Sequence, residues 1–128
     1  MGAWGAGLFE NDGALDWVGD LMESKAGWAL VRETLSRAND AEGASEGDAV
    51  LAAAECVAVA RGKPSPKPNE DILRWCKDHP LKNSDPLAAL AVKAVRWVRT
   101  SSQLKELWEE SGDSEWDAVV ADLEKRLL

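Results

Sequence analysis

The sequence predicts an all-α, single compact domain of six or seven short helices, and three observations support that expectation. Every apolar pattern of useful length repeats near the helical period; no run alternates with period two between turn signals; and Ser, Asn, Asp, Gly and Pro stand between the patterns, where caps and breaks belong. The 128 residues form one domain, 1–128, long enough to bury roughly two thirds of the unfolded surface.

Residues 1–10 form a glycine-punctuated arm whose Trp4, Leu8 and Phe9 supply apolar area that a stable arm must bury, so the arm is expected to pack on the core. Asn11 or Asp12 then caps a first helix, with Glu10, Asp12 and Asp16 near its positive end. Steps of about 100° from Asn11 to Glu23 put Ala14, Leu15, Val18, Leu21 and Met22 on one face, with Trp17 at its edge. Asp12, Asp16 and Asp20 fall opposite, as a carboxylate stripe facing water.

Ser24 and Gly27 mark a turn before a second helix striped by Trp28, Val31, Leu35 and Ala38. Residues 39–45 are polar and read as a loop, and a third helix follows Gly47-Asp48 with Ala49, Val50, Ala53, Cys56, Val57 and Ala60 inward. Its alanines favour helix and let neighbours approach closely. Across 62–69, Pro64, Pro66 and Pro68 remove three backbone donors and bias the residues before them to extended backbone, which makes a stiff connector inside the domain.

Asn69 caps a fourth helix, carrying Ile72, Leu73 and Cys76 with Trp75 beside them and ending at His79-Pro80. Asp85-Pro86 opens a fifth, with Leu87, Leu90, Ala91, Ala94 and Val98 inward and Lys93, Arg96 and Arg99 outward. Leu104, Leu107 and Trp108 leave that face by about 100°, so a break or kink is expected around Thr100-Ser101-Ser102. Thr100 with Gln103 has capping-box spacing there, and Ser102 is the competing cap. Gly112 ends the sixth helix, and Ser114 with Asp117 forms a capping box before Trp116, Val119, Val120, Leu123 and Leu127 stripe the last.

The run GAWGAGLFENDGALDW contributes Gly2, Ala3, Trp4, Gly5, Gly7, Phe9, Glu10, Asn11, Asp12, Ala14, Asp16 and Trp17 to a distinctive pattern. Together with Ser102-Gln-Leu-Lys-Glu-Leu-Trp-Glu-Glu, it resembles domain of unknown function 4259, a family of uncharacterised small bacterial proteins. Gln103 stands where that family's second element usually has its first acidic residue. The resemblance spans nearly the whole chain. It implies a small, soluble, helical bacterial protein and brings no activity, cofactor or catalytic residue.

Charge narrows the function further. With 23 acidic residues against 15 basic ones, the net charge is −8, which disfavours nucleic acid and favours solubility or a basic partner. No apolar run approaches the ~20 residues of a membrane helix, and the N-terminus lacks a signal peptide's basic flank and apolar core, so no membrane and a cytoplasmic location are expected. Ala6 stands where a myristoylation motif needs Ser or Thr. Cys56 and Cys76 read as buried, reduced thiols.

The lone histidine, His79, precedes Pro80 at a helix end, and nothing in the sequence aims it at a nucleophile. Cys56, Cys76 and His79 lack the fourth ligand that zinc wants, so no metal is expected. Gly2-x-x-Gly5-x-Gly7 follows no strand, carries no Lys and stands beside Glu10 and Asp12, which would repel a phosphate. No cofactor is expected either.

The expectation is thus a non-enzymatic protein-binding module, of which an immunity- or antidote-like protein is one concrete version. Its candidate residues are Trp4, Glu10, Asn11, Asp12, Asp16, Asp20, Glu109 and Glu110. The alternative is a small-ligand or metal-dependent hydrolase, with Glu10 or Asp16 paired with Glu109 or Glu110 as acid and base. A concave pocket of carboxylates with raised pKa values would favour the enzyme, and a flat acidic patch would favour binding. Far-ultraviolet circular dichroism is expected to be helix-dominated; a strand-rich spectrum would overturn the fold class.

Overall fold

A computed structural model describes Ala3, residues 5–40 and residues 43–128. Its helices are α1 (Asp12–Glu23), α2 (Trp28–Ser36), α3 (Ala44–Ala60), α4 (Glu70–Asp78), α5 (Asp85–Ser101), α6 (Gln103–Ser111) and α7 (Glu115–Leu127), with a 3₁₀ turn at Ala38–Asp40. Among the described residues there is no β-strand beyond an isolated antiparallel bridge between Ala3 and Asn11. No described helix is long and apolar enough to cross a membrane.

The molecule is arranged around α3. Gly47, Asp48 and every residue from Val50 to Ala58 are buried, so this helix has no wet face along its middle. It touches all six other helices. Alanines at 52, 53, 54 and 58 make this possible, because short side chains let helix axes approach on several sides at once. The expected one-sided helix starting after Gly47-Asp48 is therefore corrected in two ways: α3 begins at Ala44, and it is apolar nearly all round. Gly47 is a contact point within the helix, since a Cβ there would stand 3.1 Å from the Cβ of Leu104 on α6.

Asn11 caps α1, its side-chain oxygen accepting from the Ala14 N–H at 2.7 Å while its amide donates to the Leu8 carbonyl at 3.3 Å. The buried face is Ala14, Trp17, Val18 and Leu21. Leu15 and Met22, expected inward, are instead 39% and 42% exposed. Trp17 explains the rotation. Its indole is the largest apolar group on the helix, and burying it demands a partner for its N–H, which Thr34 Oγ1 of α2 supplies at 2.9 Å. Turning that edge inward carries Leu15 and Met22 outward.

Asn69 caps α4 through the Ile72 N–H at 3.1 Å. Ser102, with extended backbone between α5 and α6, makes the expected break: its hydroxyl donates to the Val98 carbonyl and accepts from the Lys105 N–H at 3.1 Å. The Thr100 hydroxyl turns back to the Arg96 carbonyl, so Ser102 is the cap. Gly112, at φ +76°, ends α6 in the left-handed region. The Ser114/Asp117 capping box does not form. Asp113 accepts from the Glu115 N–H at 2.8 Å instead, and Asp117 takes a two-pronged grip from Arg99 of α5 at 2.8 and 3.1 Å.

The proline-rich connector is stapled to the core by buried charge. Glu55 of α3 accepts from the Ser65 N–H at 3.0 Å and from Arg126 of α7 at 2.8 Å, and Arg126 also donates to the Lys63 carbonyl at 2.9 Å. Of the arm, Ala6 and Leu8 are buried in the core and Phe9 is half-buried against it; Trp4 lies outside the described residues.

Two glycines of α1 make opposite predictions. A Cβ at Gly13 would lie 2.9 Å from the backbone of Ser45 at the start of α3, whereas one at Gly19 would meet no described atom within 4 Å. Gly13→Ala is expected to destabilise by about 1–3 kcal/mol through overpacking, and Gly19→Ala to stabilise by about 0.5–1 kcal/mol. Thermal melts of the two variants check this, and shifts of the same sign would contradict the packing.

Candidate protein-binding surface

The outward face of α1 is acidic along its length. Asp12, Asp16, Asp20 and Glu23 are all exposed, and the helix holds no Lys or Arg. Among the described ion pairs none includes a carboxylate of α1. Beyond Trp17, on the side of α2 and α3, lies an open hollow of about 540 Å³ floored by Leu30 and Val50. Glu33, Asp40 and Glu46 line it against the single cation Arg37, which already pairs with Glu33 at 3.6 Å. Negative charge thus extends from the helix into the hollow beside it.

Glu10 and Asn11 hold the arm in place. A Glu10 oxygen accepts from the Gly7 N–H at 3.0 Å, and its carboxylate lies so close to the arm that a Cβ at Gly5 would stand 2.6 Å from it and one at Gly7 would collide with it. A side chain at either glycine would have to displace this carboxylate from the Gly7 N–H. Asn11, as the cap of α1, is buried.

The carboxylates proposed as acid and base stand in separate surroundings. Glu10 lines a hollow of about 380 Å³ between the arm, the connector and α7, alongside Phe9, Pro66 and Val119. Glu109 lines another, of about 320 Å³, beside the parallel indoles of Trp108 and Trp116, and pairs with Lys105 at 2.8 Å. Asp16 and Glu110 are exposed and line neither.

His79 ends α4 with its ring stacked on Trp75 at 4.4 Å and its Nδ1 2.8 Å from the Trp75 carbonyl, a structural station. Cys56 and Cys76 are buried free thiols, with Cys76 Sγ donating to the Cys56 carbonyl at 3.5 Å. Burial pushes the Cys56 thiol up, away from the reactive thiolate. Among the described residues no group of three or more His, Cys, Asp or Glu is placed to hold a metal ion.

Sequence reasoning missed the titratable groups of the interior. Asp48, buried in α3 against Gly13, has its pKa raised by desolvation from 3.8 to about 7. Burial also raises Glu55, although Arg126 pulls it back. The sequence carries no local signal for their burial, because an alanine-rich helix serves equally on a surface and at a crossing.

The fold and this face define a small all-helical domain with an acid-faced first helix. Residues 2–119 match the family model described as Domain of unknown function (DUF4259), and the chain belongs to that family. No curated protein and no solved structure matches it.

Asp48 makes stability depend on pH. Its folded pKa lies above the unfolded one, so the stability conferred by the neutral form is complete below about pH 4 and is lost as pH rises towards about 7. Asp48→Asn is expected to gain on the parent by on the order of 2–3 kcal/mol between pH 5 and pH 8. Urea unfolding at both pH values measures it; an unchanged difference would mean that Asp48 ionises as an ordinary carboxyl.

Proposed function

We propose that the protein is a non-enzymatic binding module that engages a basic protein partner through the outward face of α1 and the acid-lined hollow beside it. The observation that supports this most directly is the row Asp12, Asp16, Asp20 and Glu23, four exposed carboxylates on a helix without a cation. Like charges at helical spacing repel one another mildly, and a basic surface relieves that repulsion on contact. Burying a cation from the partner among these carboxylates adds charge-assisted hydrogen bonds, and the long-range field speeds encounter.

An immunity- or antidote-like role is one form of this reading, in which the acidic face covers the working surface of a basic protein. This form of the reading also counts the exposed Glu109 and Glu110 of α6 among the partner's candidate contacts. The reading takes the protein as cytoplasmic, where two buried thiols stay reduced.

Pull-down from the native host at low and high salt, with the parent and an Asp12→Asn/Asp16→Asn/Asp20→Asn variant, is the test. The partner is expected to be basic, and its capture to fall by about tenfold or more both with salt and with the triple variant. Turnover in a hydrolase screen that disappears with Asp16→Asn or Glu109→Gln, with no protein captured, would replace this reading with the enzymatic one.

A further inference from the structure

Among the described residues nothing packs closely enough to account for Gly19. Glycine in a helix interior weakens the helix relative to alanine, so it is kept where something comes close. Gly13 and Gly47 obey this rule, the first against Ser45 of α3 and the second against Leu104 of α6. Around Gly19 no described atom would lie within 4 Å of a Cβ. It sits on the outward side of α1, between Leu15 and Met22, one turn to either side. Those two are exposed, and the only other large hydrophobic residue exposed among the described residues is Leu128 at the end of the chain. Two exposed apolar side chains with a glycine between them leave room for a helix to cross there, its side chains entering over Gly19 while it rests on Leu15 and Met22.

Resting on the binding reading above, we infer that the Leu15–Gly19–Met22 strip seats an amphipathic basic helix of the partner. The partner's apolar side covers the strip, and its Lys and Arg residues reach Asp12, Asp16, Asp20 and Glu23, which run alongside on the same outward face. Charge selects this occupant. A second copy of the chain would set one row of four carboxylates against another, and an anionic membrane or nucleic acid would be repelled. An extended segment lacks a sheet edge to pair with, because the backbone groups in the middle of α1 are spent within the helix.

The test uses the whole protein and two synthetic peptides of about 18 residues with identical Lys, Leu and Ala content. One has its leucines at helical i, i+3, i+4, i+7 spacing and the other is shuffled. Titration calorimetry is expected to show the amphipathic peptide binding at least about tenfold tighter than the shuffled one. Leu15→Gln/Met22→Gln and, separately, Gly19→Leu are expected to reduce it to the shuffled peptide's affinity. All three positions are at the surface, so the variants are expected to melt as the parent does, and thermal melts check this. Equal, salt-sensitive binding of both peptides would overturn the helix inference and leave the acidic-face reading standing. Binding of neither would remove both. A dimer of the protein that Leu15→Gln/Met22→Gln disperses would identify a second copy as the occupant and overturn the inference.

Discussion

Burial of α3 on all sides is the constraint on which the rest of the structure depends. A helix that must touch six others has no face left for polar side chains along its middle, so its residues there are small where neighbours cross, and two of its three acids, Asp48 and Glu55, are forced into the interior while Glu46 in the first turn stays exposed. Glu55 is reconciled with that position by Arg126 and the Ser65 N–H, Arg126 donating in turn to the Lys63 carbonyl, and those same bonds tie the proline connector and α7 to the hub. An ion pair buried in this way adds little net stability beside an apolar pair of the same volume, but it defines which residues must meet. Here it joins segments 71 positions apart in the chain.

The family's opening pattern has a mechanical explanation in the same terms. Gly5 and Gly7 leave space for the Glu10 carboxylate, Glu10 holds the Gly7 amide, the Asn11 side chain accepts from the Ala14 N–H at the start of α1, and Leu8 between them is buried. Four of the pattern's polar and glycine positions therefore act on the arm and the helix start. This accounts for glycines and an acid at fixed spacing without phosphate, metal or nucleophile.

The outer face of α1 follows from its inner one. Once Trp17 is turned to meet Thr34, the helix has no rotation left, and Leu15, Gly19 and Met22 emerge beside the carboxylates. A helix buried symmetrically about Val18 would have shown water only its acids. The apolar strip is thus set by a single hydrogen-bonded indole.

Local chemistry determined what lies within a few residues of itself: the helical class, the caps at Asn11, Asn69 and Ser102, the stop at Gly112, and the outward Asp12, Asp16 and Asp20. Periodicity and capping are properties of one segment, so the sequence alone expresses them. The tertiary structure decided what depends on distant partners. The rotation of α1 turned on Thr34, the close approach of α1 and α6 to α3 on Gly13 and Gly47, the failed cap at Ser114 on Arg99, and the buried state of Asp48 and Glu55 on the helices that enclose them. A hydrophobic wheel weighs residues by type and cannot know which indole N–H finds an acceptor. Nor can it show that one alanine-rich helix is surrounded, because small residues serve equally on a surface and at a crossing. The acid row was therefore legible from the sequence, and the apolar strip beside it emerged only when the core had chosen its side of α1.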